Sequence, residues 1–325
     1  MIGPPNQRGI SVKRVTLLLA VALCAFSGLA QAQSEEKVAH KKPFLWKVEL
    51  PGAKTPSYLF GTIHLPDKRV ITLPKVVDKA VERCDALYCE LALEPSLQMK
   101  AMQHMMLPKG TTLKDVVGEK NFARASAMLS EKGIPIMALQ QLKPWAFQSQ
   151  VQMLDYMPQL QAGVKPLDAG LYARAKQAGK TVGGLEQIED QLSVFNSMSE
   201  AYQKKSFGEW LDALDEAKKE KVSPLEKLIE GYLEGDTKKL SDLVKEEMAK
   251  SEDEESKKLM KRLIDDRNGT MTKRILELSK ESPDKCFFFA VGTAHYPGKT
   301  GILAQLEAKG AKITRLELGD ADKVE

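Results

Sequence analysis

Two short segments at opposite ends of the chain constrain its fold more than any other feature. Leu59-Phe60-Gly61-Thr62-Ile63-His64-Leu65-Pro66 reads in the same frame as Ala290-Val291-Gly292-Thr293-Ala294-His295-Tyr296-Pro297. Each is an apolar strand that runs into Gly-Thr, one small or apolar residue and His. Glycine at a strand exit permits a tight turn or a close approach, and open α/β sheets place their ligands at such exits. The chain has only four histidines, and two of them occupy this matched position. If the two strands are neighbours in one sheet, both imidazoles meet at one edge.

The rest of the pattern fits that picture. Phe44 to Leu50 and Tyr58 to Phe60 read as a β-hairpin across the turn-rich Pro51–Ser57. A helix from Pro74 to about Arg83 leads to a strand over Ala86–Leu91. Residues 96–280 are mostly helical, with a helix over Ala169–Ala178, which Asp168 precedes, and a short strand at Thr181–Leu185. Cys286–Val291 is the most apolar strand, and a helix at about Thr300–Lys309 and a strand at Ala311–Leu316 complete the pattern. The expected fold is α/β, with a central mixed sheet from strands near both chain ends and a large helical insertion between them. A single domain is expected over 43–318, with 319–325 as a tail.

Residues 1–32 read as a targeting segment. Arg8, Lys13 and Arg14 precede an apolar run over Val15–Ala30, and Ala30-Gln31-Ala32 has the form of a cleavage site. This is the pattern of a secretory signal peptide; an uncleaved anchor is the alternative, for which the run is short. Leu23 before Cys24 argues against lipidation. Residues 33–42 form a polar, flexible lead-in. The expected location is periplasmic or secreted, with no stable membrane insertion after cleavage.

Hydrophobic residues at 43% and charged residues at 28% describe a folded soluble chain, not a disordered, collagen-like or polytopic one. The formal charge of +4 is concentrated in the leader. Its removal leaves a nearly neutral protein with no electrostatic reason to bind nucleic acid or anionic lipid. Cys84, Cys89 and Cys286 remain, and an oxidising compartment permits one bridge. The sequence does not choose the pair. No C-x-x-C spacing supports a cysteine zinc site.

Two histidines and a carboxylate make a common first shell for a divalent transition metal with open positions. Glu90 is the candidate carboxylate, since it lies in an apolar run where an unpaired charge is costly. The other histidines are placed differently, His40 in the lead-in and His104 in Met99-x-x-Met102-x-His104-Met105-Met106. Thioether and imidazole suit Cu(I), although methionines at helical spacing more often fill core gaps.

The ordered set of motifs resembles the TraB/GumN family, which includes the Tiki-type metalloproteases and is distantly similar to the erythromycin esterase and ChaN-like groups. The resemblance rests on Leu45–Glu49, Ser57–Asp67 and Phe289–Leu303, with Leu142–Trp145, Leu185, Glu186, Gln191, Arg267 and Asn268 between them. It implies a divalent metal, Mn or Co with Zn as a further option, held by His64, Glu90 and His295. It places Arg267 and Asn268 nearby, polarising a substrate carbonyl or ordering the shell, with Glu90 or Glu186 as proton acceptor. Tyr296 departs from the His-Leu that many members carry, which bears on pocket access. The implied function is an exported metal-dependent hydrolase acting on a peptide or small-molecule substrate. Two alternatives stand beside it. One is a non-catalytic periplasmic binding or regulatory protein. The other is a copper-handling protein that depends on Met102, His104, Met105 and Met106.

Overall fold

A computed structural model of the chain describes residues 40–221, 223–237, 239 and 253–324. The expected signal peptide and most of the expected lead-in lie outside the described residues. Six strands form one mixed sheet: β1 (Leu45–Glu49), β2 (Ser57–Thr62), β3 (Ala86–Cys89), β4 (Thr181–Gly184), β5 (Phe287–Gly292) and β6 (Lys312–Arg315). Their order across the sheet is β4-β3-β5-β2-β1-β6. β2, β5, β3 and β4 run parallel, whereas β1 is antiparallel to both β2 and β6. This is the expected α/β architecture, with strands from both chain ends joined in the middle of the sheet.

Burial explains that order. Every residue of β2 and of β5 is buried. Successive side chains point to opposite faces, so helices must cover both faces there, and these strands take central positions. β4 and β6 carry partly exposed residues and lie at the edges. Helices that contain Val76, Val77 and Ala80, Leu171 and Ala175, Met271 and Ile275, and Ile302 and Leu306 supply the covering apolar faces. The helical section between β3 and β5 adds a second apolar cluster, centred on Leu113, Leu129, Phe147, Phe207 and Trp210.

Three local expectations differ from the structure. β3 ends at Cys89 rather than Leu91, so Glu90 is the first residue past the strand. Asp168 lies inside the helix Leu167–Gln177 rather than ahead of it. His40 is not in a flexible segment: it is 4% exposed, packs edge-on against Tyr232 and places Nε2 3.2 Å from the Val70 carbonyl. The apolar environment beneath Tyr232 holds it, which its polar sequence neighbours do not reveal.

The Gly-Thr pair of the first motif has a packing cause. A Cβ on Gly61 would stand 2.7 Å from Thr293 Cγ2 and 2.8 Å from Phe44 Cβ. Gly61→Ala should therefore destabilise the fold by on the order of 1–3 kcal/mol through overpacking. Urea unfolding of the two proteins measures this, and an unchanged midpoint would contradict it.

Candidate metal centre

Each of the four parallel strands delivers one ionisable side chain to the same edge. β2 ends at Thr62 and β5 at Gly292, which are register partners. His64 follows two residues after the first end and His295 three residues after the second. Glu90 leaves the end of β3, and Glu186 follows β4, with its N–H donating to the Glu90 carbonyl at 3.0 Å. Arg267 and Asn268 arrive from the helix Arg267–Glu281. A π-helical turn, Lys261–Asp266, directly precedes that helix. Such turns are frequent at functional sites, and the extra residue re-aims the side chains of the next helical turn.

Glu90 is the hub. Its Oε1 accepts the Gly292 N–H at 2.7 Å, and its Oε2 accepts Arg267 Nη2 at 2.5 Å. His64 Nε2 stands 3.9 Å and His295 Nε2 3.8 Å from the same Oε1. A Cβ added to Gly292 would lie 2.9 Å from Glu90 Oε1 and 3.7 Å from His64 Nε2. The glycine therefore keeps open a cradle between the three head groups.

The far nitrogen of each imidazole is anchored. His64 Nδ1 lies 2.5 Å from Asp168 Oδ2, and His295 Nδ1 lies 2.7 Å from Asn268 Oδ1. Asn268 Nδ2 donates to the Thr300 carbonyl at 2.9 Å, which fixes the amide so that its oxygen faces His295. Nδ1 of His295 must then carry the proton, and Nε2 is a bare lone pair. That Nε2 is buried and has no hydrogen-bond partner among the described residues.

The two histidines differ electrostatically. Burial pushes His295 down to about 3, more than the Glu90 charge restores. Burial also opposes charge on His64, but the Asp168 carboxylate overcomes it and raises that ring to about 9. Glu90 pays a burial penalty as well, yet Arg267 and then the two histidines hold its carboxyl far below the usual range. Glu186 is raised to about 7 by burial, since Arg267 only partly offsets it. One guanidinium faces two carboxylates here.

The structure therefore brings His64, Glu90 and His295 together and places Arg267 and Asn268 against them. Glu186 stands apart from the imidazoles. Both its oxygens accept Arg267 Nε at 3.0 Å, and its side chain is fully buried behind the guanidinium. Among the described residues, no three His, Cys, Asp or Glu side chains close up into a metal shell by themselves; the three head groups converge without closing. Asp168 is the residue that sequence reasoning passed over as a helix neighbour. The cluster Met102, His104, Met105 and Met106 does not converge: Met105 is 4% exposed whereas Met102 and Met106 are 58% and 43% exposed.

The Asp168–His64 pair carries a pH signature. A histidine raised above its unfolded value of about 6.5 contributes stability below that pH and loses it as pH rises toward about 9. The thermal midpoint of chelator-treated protein should fall between about pH 7 and pH 9. Asp168→Asn should flatten that fall, and an equal slope in both proteins would contradict the assignment.

Among the described residues no helix is long and apolar enough to cross a membrane. Metalloprotease TIKI2 of Danio rerio is 25% identical over 355 residues, covering 90% of this chain and 66% of its own length. Metalloprotease TIKI1 of Homo sapiens is 25% identical over 340 residues, covering 90% and 65%. A metalloprotease TIKI homolog of Amphimedon queenslandica is 24% identical over 347 residues, covering 93% and 66%. The chain thus spans just under two thirds of these relatives' length. No solved structure matches it. The sequence profile of the TraB/PrgY/gumN family matches residues 44–315, from the approach to β1 to the last residue of β6. Both GTxH strand ends and the residues gathered around Glu90 lie inside that span, and the chain belongs to this family.

Proposed function

We propose that the protein is an exported metal-dependent hydrolase of the peptidase type, with one divalent ion held by His64, Glu90 and His295. One observation carries this reading. The bare lone pair of His295 Nε2 and the charged Oε1 of Glu90 face each other at 3.8 Å with no proton between them. Two acceptors so placed repel, and a cation between them removes the repulsion. Ligand atoms about 2.0–2.2 Å from a shared tetrahedral ion sit about 3.4 Å apart, close to the spacing here. Imidazole and carboxylate together suit Mn, Co or Zn. The relatives' names, metalloproteases, support the peptidase class.

A divalent ion at this place supplies Lewis-acid polarisation of a carbonyl and a water acidic enough to attack at neutral pH. The chain's own residues do the rest. Asp168 and Asn268 fix the imidazole tautomers and point both Nε2 atoms at Glu90. Arg267, itself held by Glu186, and the Gly292 N–H hold the Glu90 carboxylate in place, so Arg267 and Asn268 order the shell. Glu186, with both oxygens on Arg267 Nε, positions that guanidinium, which leaves Glu90 as the carboxylate within reach of a reacting proton. His64, with a quarter of its side chain exposed against 1% for His295, marks the side from which a substrate reaches the site.

Two substitutions separate site from scaffold. Gly292 has φ −52° and ψ 136°, which alanine adopts, but its Cβ would stand 2.9 Å from Glu90 Oε1, so Gly292→Ala should keep its backbone path, displace the Glu90 head group and lose metal affinity by roughly 10–100-fold. Asp168→Ala should weaken metal binding by a similar factor. Titration calorimetry with Mn, Co and Zn reads both; unaltered affinity in both variants would remove the site. Chelator-stripped protein should cleave an unfolded polypeptide only after metal is restored. Metal binding without cleavage by any of the three ions would favour the non-catalytic binding or regulatory reading.

A further inference from the structure

Cys84, Cys89 and Cys286 are free and buried, and the metal site uses none of them. Cys84 closes the helix Lys75–Arg83 in an extended conformation, φ −74° and ψ 147°, just ahead of β3. Cys286 stands just ahead of β5. The backbone ties these two positions together. The Asp85 and Ala86 N–H groups both donate to the Cys286 carbonyl, at 2.9 and 3.3 Å, and the Cys286 N–H donates to Asp85 Oδ2 at 2.9 Å. The parallel ladder then begins with Ala86 opposite Phe287.

Positions one step out of register on neighbouring strands are on the order of 6 Å apart at Cα, from a strand spacing of about 4.8 Å and a rise of about 3.3 Å. That separation lies inside the window a disulfide spans. The two thiols are also neighbours: burial, and after it the Cys286 thiol, push the Cys84 thiol up. Cys89 does not compete. It lies five residues along from Cys84, roughly 16 Å at strand rise, and its sulfur turns toward the Asp168 carbonyl at 3.9 Å. Its register partner is Ala290, well past Cys286.

We propose that Cys84 and Cys286 form a disulfide when the chain folds in an oxidising medium, with a small-molecule disulfide such as oxidised glutathione as the oxidant. One cysteine thiolate attacks a sulfur of the oxidant, breaks its S–S bond and expels one thiolate. The second cysteine attacks the resulting mixed disulfide, forms the Cys84–Cys286 bond and expels the other. The two protons given up by the cysteines end on the two glutathione thiols; the protein is oxidised and glutathione reduced by two electrons. Cys84 and Cys286 are 1% and 0% exposed in the finished fold, so the exchange belongs to folding, before β5 docks beside β3. The bond joins the bases of the two strands whose far ends carry Glu90 and His295, and it encloses the whole helical section.

The test is to unfold the full chain in reductant, refold it in mixed oxidised and reduced glutathione, trap thiols by alkylation, and map the peptides by mass spectrometry. A Cys84–Cys286 cross-linked peptide is expected, with Cys24 and Cys89 alkylated. Reduction of the refolded protein should then shift its unfolding equilibrium by on the order of ten-thousandfold, the loop-closure effect for so long a loop. A Cys84→Ala, Cys286→Ala variant should show no such response to reductant. Alkylation of both Cys84 and Cys286 in the refolded chain, a cross-link through Cys24 or Cys89, or an equal reductant response in the double variant overturns the proposal.

Discussion

The parallel pairing of β2 with β5 is the constraint on which the rest depends. It aligns Thr62 with Gly292 and so brings two strand exits from opposite ends of the chain to one edge. Parallel strands require a long crossover, and here the crossover is most of the protein. β5 also pairs with β3, which sets Glu90 beside both exits. The Thr293 hydroxyl donates to the Thr62 carbonyl at 3.2 Å, and Tyr232 OH donates to the Gly61 carbonyl at 2.9 Å. The first bond fixes one exit against the other, and the second ties the first exit to the helix Pro224–Glu234. A one-residue slip would turn every apolar side chain of β5 to the wrong face, and the fully apolar Phe287–Val291 run alone would not forbid it. The glycines and the flanking hydrogen bonds define the register.

Charge balance at the site comes from this geometry. Glu90 and Glu186 are both buried, and one guanidinium, itself 5% exposed, serves both. Breaking such a group by removing Arg267 would leave two buried carboxylates uncompensated, at a cost of about 3–5 kcal/mol. The arrangement stays one positive charge short. The proposed divalent cation between Glu90 and the two imidazoles would bring compensating positive charge, which would tie the stability of the site to its proposed chemistry.

Much of this was legible in the sequence, and the omissions have physical causes. The repeated GTxH frame announced the meeting of His64 and His295 because a strand fixes where its exit points. Glu90 stood out because a carboxylate in an apolar run needs a partner. Asp168 gave no such signal: Leu-Asp-Ala-Gly at a helix start reads as an ordinary acidic first turn, and only the tertiary fold shows its oxygen on His64. The resemblance named Glu186, but not its place behind Arg267, which comes from the tertiary packing of the guanidinium against both its oxygens. His40 was misplaced because its burial comes from Val70 and Tyr232, far along the chain. The methionines of 99–106 share a helical spacing, yet only Met105 among them reaches the core with Leu91 and Trp145.

The proposed site is one ion shared by residues from opposite ends of the chain. Anomalous X-ray diffraction from crystals grown with Mn tests it most directly. A single strong peak is expected within roughly 2.0–2.3 Å of His64 Nε2, Glu90 Oε1 and His295 Nε2. A peak elsewhere, or none at this edge in crystals that hold Mn at other positions, would contradict it.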